Sequence, residues 1–194
     1  KQPTVPHPLR EKMTLFWHGL LVSSLDKDGI YCTHRTLLEQ HLLFRRHAVG
    51  KYKTLLADTS KDPAMLLYLD NWASTVDNPN ENYAREMLEL FSLGVGNYTQ
   101  AEVVAAARAG TGYTLALNAK ENRFTHYTFD TNQHDHASDK TFFGITANWD
   151  LTGDSGDADA RSVVEYLCAA DGQGEQVSRM LSRLLWEYFA HFAP

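Results

Sequence analysis

Two stretches of this 194-residue chain concentrate side chains that do acid–base or metal chemistry. The first is NENYAREMLELFSLGVG, beginning at Asn80, which sets Glu81, Asn82, Arg85, Glu86 and Glu89 within little more than two helical turns. Arg85 stands four residues after Glu81 and four before Glu89, the spacing at which helical side chains meet. Glu86 lies about one helical step off that row. It is the carboxylate least served by the arginine, so it is the one free to take a raised pKa and act as an acid or base. The competing reading is a solvated helix face, whose exposed ion pairs contribute only a few tenths of a kcal/mol each. The second stretch is His134, Asp135 and His136, where imidazole and carboxylate together suit general acid–base work or a metal. No HExxH, facial-triad or CxxC spacing selects a metal, so metal and cofactor stay unassigned, and ordinary surface-loop residues are the competing reading.

The elements that must position these groups follow from periodicity. Pro8 suits a first helical position, and Leu9, Met13, Phe16, Leu20 and Leu21 fall near one face of the helix it opens. Thr33 caps a helix through HRTLLEQHLLFRRHAVG, KYKTLLADTS is a short helix, and Asp62-Pro63 reads as an N-cap followed by proline at N1. In the charged stretch, Tyr83, Met87, Leu90 and Phe91 share a face with Ala84 and Leu88, opposite Glu81, Asn82, Arg85, Glu86, Glu89 and Ser92. Gly94 stands where a left-handed residue ends a helix. Thr99 and Glu102 form a capping-box pattern opening an Ala- and Val-rich helix, and these two helices are expected to pack as a hairpin. YTLALN and RFTHYTFD read as a β-hairpin or extended arm, and two helices close the chain. The expected fold is therefore mainly α: one helical, bundle-like domain over residues 1–194, with a small β-hairpin or extended arm near residues 113–130.

Composition narrows the function classes. The chain is 43% hydrophobic and 22% charged, ordinary for a globular protein, with a formal net charge of -6 and no basic run. That balance gives no electrostatic reason to seek nucleic acid. No apolar stretch reaches the roughly 18 residues of a membrane span. Phosphate-cradling, dinucleotide-binding and GxSxG motifs are missing from the sequence. Asp26 and Asp28 before Gly29 match only the start of a calcium loop and are discounted. The two cysteines, Cys32 and Cys168, fit no zinc or redox spacing; a single bridge and two separate thiols both remain open. His18, beside Trp17 in an apolar helix, reads first as a hydrogen-bonded core histidine, as do His41 and His47.

Four pieces in order carry a resemblance: PLREKMTLFWH at 8–18, DPAMLLYLDN at 62–71, NENYAREMLELFSLGVGNYT from residue 80, and HD followed by KTFFG at 134–144. Together they resemble the bacterial family called domain of unknown function 1800, and VSRMLSRLLWEYF is similar to its late helix. The resemblance implies a mostly helical, exported protein, periplasmic or extracellular, working beside a sulfatase-like partner on extracellular material such as a glycan. It assigns no reaction. Family chains run longer, so this one is expected to be a fragment or processed core. Gly19 stands where the family usually has Asn, and ARAGTGY departs from an ARALTGW-like segment at Gly110 and Tyr113.

Two functions are carried forward. In the first, the protein is an enzyme that cleaves an extracellular polysaccharide by acid–base hydrolysis or elimination. Glu86, Glu89, His134 and Asp135 are its catalytic candidates, Arg85, Asn82, Trp17 and His18 its substrate-binding ones, and Trp17, Trp72 and Tyr113 its candidate sugar-stacking rings. In the second, the protein is a non-catalytic binding or assembly module that uses the same polar face. The distance between His134–Asp135 and the Arg85–Glu86–Glu89 face separates the two.

Overall fold

A computed structural model describes residues 7–24, 34–120, 123–137, 139–146 and 158–190. Asp26, Asp28, Gly29, Cys32 and Thr33 lie outside the described residues. The chain runs α1 (Pro8–Leu20), α2 (His34–His47), α3 (Tyr52–Thr59), α4 (Pro63–Tyr68), α5 (Glu81–Leu88), a π-helical turn (Glu89–Leu93) and α6 (Gln100–Ala109). The strands β1 (Tyr113–Asn118) and β2 (Arg123–Phe129) follow, then the short pair β3 (Thr141–Phe142) and β4 (Ile145–Thr146), and finally α7 (Ala158–Cys168) and α8 (Gly174–Phe189). The fold is mostly helical with a small antiparallel hairpin, as periodicity leads one to expect.

Capping chemistry sets several boundaries. Asp62 Oδ1 accepts from the amides of Ala64 and Met65 at 3.0 and 3.3 Å. Asn80 caps α5 through the Tyr83 amide at 3.0 Å and ties its own side chain back to the Leu69 carbonyl. Thr99 and Glu102 complete the capping box of α6. The main core gathers Phe16 and Trp17 of α1, Phe44 of α2, Leu55 and Leu56 of α3, Leu88 of α5, Val103 of α6 and Leu167 of α7. The α1–α2 contact is completed by a forked Arg45–Glu11 ion pair and by the Trp17 indole, which donates to the Ala48 carbonyl at 3.0 Å. A second cluster seats the hairpin on α4, with Tyr113, Leu115 and Phe124 against Leu66 and Leu67.

Two local irregularities alter the faces expected from periodicity. In the hairpin, Ala116 pairs with His126 but Leu117 pairs with Phe124, so Thr125 is bulged. The bulge moves Phe124 into the core beside half-buried Tyr127 and leaves His126 exposed, where strict alternation would have grouped Phe124 with His126. In the charged helix, the π turn widens the coil by one residue, so every later side chain is rotated about its axis. Ser92, placed by an ideal helix on the polar face, is fully buried, and Leu90, placed on the apolar face, is 49% exposed. Gly94 does end the segment with positive φ, but at φ 83° and ψ 163°, a mirror-extended conformation rather than the left-handed helical one.

Cys168 is a free, half-buried thiol whose pKa burial pushes up to about 11. Asp62 is buried and accepts from Gln40 Nε2 at 2.8 Å, and burial raises its carboxyl to about 6. A carboxyl raised in the folded state binds its proton more tightly there than in the unfolded chain. Its contribution is therefore full below the unfolded value of 3.8 and is lost as pH rises through about 6. Asp62→Asn mimics the neutral acid and keeps the capping oxygen. In urea unfolding it will be at least as stable as wild type at pH 7.5 and gain nothing at pH 4, whereas Asp62→Ala will lose about 1 kcal/mol with the cap.

Candidate functional site

The His134–Asp135 motif sits at the junction of α6, β2 and α7. Gly112 makes this approach possible. At φ 85° it avoids left-handed strain, and an added Cβ would stand 2.9 Å from the Asp130 carbonyl and 3.0 Å from His134 Cβ. His134 Nδ1 lies 2.9 Å from the Thr111 carbonyl and 3.2 Å from its hydroxyl, while Nε2 lies 3.3 Å from Asp159 Oδ2. The Thr111 hydroxyl gives its proton to the Arg108 carbonyl at 2.7 Å, so it faces His134 as an acceptor. Three oxygens, two from Thr111 and one from Asp159, thus surround one imidazole.

Asp135 accepts from Arg108 Nε at 2.5 Å and from the Ala137 amide at 2.9 Å. Burial alone would raise its pKa, but the hydrogen bonds from Arg108 and Ala137 and the charge of Lys140 outweigh it and hold the carboxyl below its ordinary value. Lys140, 1% exposed, spends its three protons on the carbonyls of Asp135 and Ala137 and on Asp159 Oδ2, 3.0 Å away. Arg108 also reaches Asp139 at 2.6 Å. An ionised carboxylate with every neighbour engaged is poorly placed to move a proton to or from a substrate. The arrangement is a buried ion network that fastens the 134–140 segment to the end of α6 and the start of α7.

The charged helix face lies elsewhere. Tyr83, Ala84 and Met87 turn toward Ala106 and Gly110 and toward Val163 of α7. Asn82, Glu86 and Glu89 line a different space, an open groove of about 710 Å³. Its other walls are Leu20 and Val22 at the end of α1 and Met180, Arg183 and Leu184 of α8. Glu89 accepts a short hydrogen bond from the Tyr98 hydroxyl, whose pKa is raised by burial and by that carboxylate. Arg85 bonds not to its helical neighbours but to Gln100 at 2.8 Å, and Gln100 in turn donates to Glu81 at 2.7 Å. Glu86, half-buried, has no hydrogen-bond or ion-pair partner among the described residues.

The structure therefore brings together His134 and Asp135, and separately Asn82, Glu86 and Glu89, with no hydrogen bond or ion pair joining the two sets among the described residues. Trp17 is 5% exposed and stacks on Tyr52, and Tyr113 is 3% exposed, so neither offers a ring face to a ligand. Trp72 is partly exposed against Phe124. His18 Nε2 meets His41 Nδ1 at 3.0 Å between α1 and α2, and burial, then the charge of His41, lowers its pKa. The partners of His134 that sequence reasoning missed are Thr111 and Asp159, and those of Asp135 are Arg108 and Lys140. The KTFFG segment already begins with Lys140, but no local spacing joins it to Asp159.

Fold and site define a helical domain pinned by a buried ion network and opened by a mixed apolar and acidic groove. The chain belongs to the family described as "Protein of unknown function (DUF1800)", whose model matches residues 2–194. No curated protein and no solved structure matches it. Among the described residues there is no cluster of three metal-ligating side chains and no helix long and apolar enough to cross a membrane.

Removing one member of a buried, hydrogen-bonded ion set leaves its partners charged and unpaired, at a cost of roughly 3–5 kcal/mol. Lys140→Met will show that loss in urea unfolding. Lys140→Met combined with Asp159→Leu will recover part of it, since the stranded carboxylate is then gone.

Proposed function

We propose that this protein is a non-catalytic binding module whose ligand seats in the groove between the end of α1, α5 with its π turn, and α8. The observation carrying this reading is the contrast between the two candidate sites. His134 and Asp135 are consumed by internal partners, whereas Glu86 stands unpartnered on the wall of an open groove. Polysaccharide hydrolysis or elimination has less support. Glycoside cleavage uses two carboxylates flanking the scissile bond, and the acids lining this groove, Glu86 and Glu89, project from one helical segment and hence one wall. An exported location and a sulfatase-like protein as partner are carried into the proposal from the family resemblance.

Gly19 supplies the test. It lies in the last turn of α1 and lines the groove, and a Cβ built on it meets nothing within 4 Å. Gly19→Leu will fill the groove while leaving stability equal or higher, because glycine inside a helix costs about 0.8–1.0 kcal/mol relative to alanine. Isothermal titration of the purified sulfatase-like partner will then show binding to wild type and at least about tenfold weaker binding to Gly19→Leu, a change of 1.4 kcal/mol or more. Equal binding by both proteins would sink the reading. So would turnover of any polysaccharide by wild type that Glu86→Gln abolishes.

A further inference from the structure

Resting on that binding reading, we infer that the occupant of the groove is a basic amphipathic helix of a partner protein. The groove shares Gly19, Leu20 and Leu184 with a second open cavity of about 670 Å³, lined by Leu15, Phe16, Tyr188 and Phe189. The two form one trough along α8 from Met180 to Phe189, about 14 Å at 1.5 Å per residue, or two and a half turns of a parallel helix. Its flanks carry apolar side chains left half in solvent: Leu15 is 59% exposed, Leu90 49% and Tyr188 47%.

The chemistry of the walls selects among occupants. Leu15, Phe16, Leu20, Val22, Leu90, Met180 and Leu184 make an apolar strip through both cavities, and Asn82, Glu86, Glu89 and Arg183 are the polar groups of the groove beside it. Among the described residues the lining holds no strand, so it offers an extended peptide no edge with which to pair its amides. A helix satisfies its backbone internally and needs only apolar contacts at i, i+3 or i+4, and i+7. Glu86, unpartnered beside Leu90, then calls for a cation at the edge of that apolar stripe. The trough holds Glu86, Glu89 and Glu187 against Lys12 and Arg183, a formal excess of one negative charge. A second copy of this chain carries the same net charge of -6, which disfavours self-association.

The probe is a fluorescently labelled 18-residue helix of leucine and lysine in amphipathic pattern, followed by anisotropy at low salt, with a leucine–glutamate counterpart as control. Wild type will bind the lysine helix at least about tenfold more tightly than the glutamate helix. Gly19→Leu will lose that binding. Glu86→Lys will weaken it and gain affinity for the glutamate helix, a reversal that general attraction to an acidic protein does not produce. Thermal unfolding will show both variants folded. Equal affinity for the two helices, no binding of either, or no effect of Glu86→Lys overturns the basic helix. Self-association of wild type in sedimentation, abolished by Gly19→Leu, also overturns it, in favour of a second copy. In these cases the groove reading survives as long as Gly19→Leu still blocks the sulfatase-like partner, and it fails separately if that partner binds both proteins alike.

Discussion

A π turn inside a helix releases carbonyls from their regular donors, and each one buried there must find another. Around Glu89–Leu93 those donors come from across the fold. Tyr52 of α3 donates to the Phe91 carbonyl, Ser92 turns back to the carbonyls of Met87 and Leu88, and Gln176 of α8 joins Asn97 on the Leu93 carbonyl. Phe91 and Leu93 stand in the last turn before Gly94, where the carbonyls of any helix lack intrahelical donors, and the bonds they accept tie α3 and α8 to the end of this segment. Tyr52 is committed to this role: burial pushes its phenol far above the ordinary tyrosine value, so it stays a donor. Seating α8 across the end of α5 also opens the groove, since the extra residue turns Leu90 outward and leaves Glu86 and Glu89 on the wall that faces Arg183.

The second fixed point works by charge. Lys140 and Arg108 meet Asp135, Asp139 and Asp159 around His134, mostly out of water, and every proton of Lys140 has an acceptor. Such a network adds little net stability compared with a well-packed apolar core, because desolvating the ions offsets most of their attraction. Its contribution is geometric. An unpaired charge is costly enough that α6, the 134–140 segment and α7 have few other ways to meet. The same completeness argues against catalysis there, since a substrate would have to displace a partner from each group it engaged.

Much of this was legible in the residues themselves. Asp62-Pro63 and Thr99–Glu102 announced helix starts through caps that need only local geometry, and the hairpin was readable from alternating β-formers. What escaped were features decided by distant partners. Ser92 and Leu90 exchange environments because the segment ends in a π turn that no periodicity encodes. Arg85 sits at ideal spacing for Glu81 and Glu89 yet bonds to Gln100 from the next helix, a residue whose position depends on how α5 and α6 pack. Asp135 was visible as a reactive type, but its quenching by Arg108, 27 positions earlier in the chain, was not.

Gly19 brings these strands together. It sits within α1, where glycine is the least favourable residue apart from proline, and no close neighbour forbids a side chain. Neither backbone strain nor packing accounts for it. The structural consequence of its missing side chain is open space where the two cavities join, beside Leu20 and Leu184. A helix of about 10 Å diameter can come close to a wall only where side chains are small. The position that costs α1 some of its intrinsic stability is thus the one that leaves the trough continuous enough to admit such a partner.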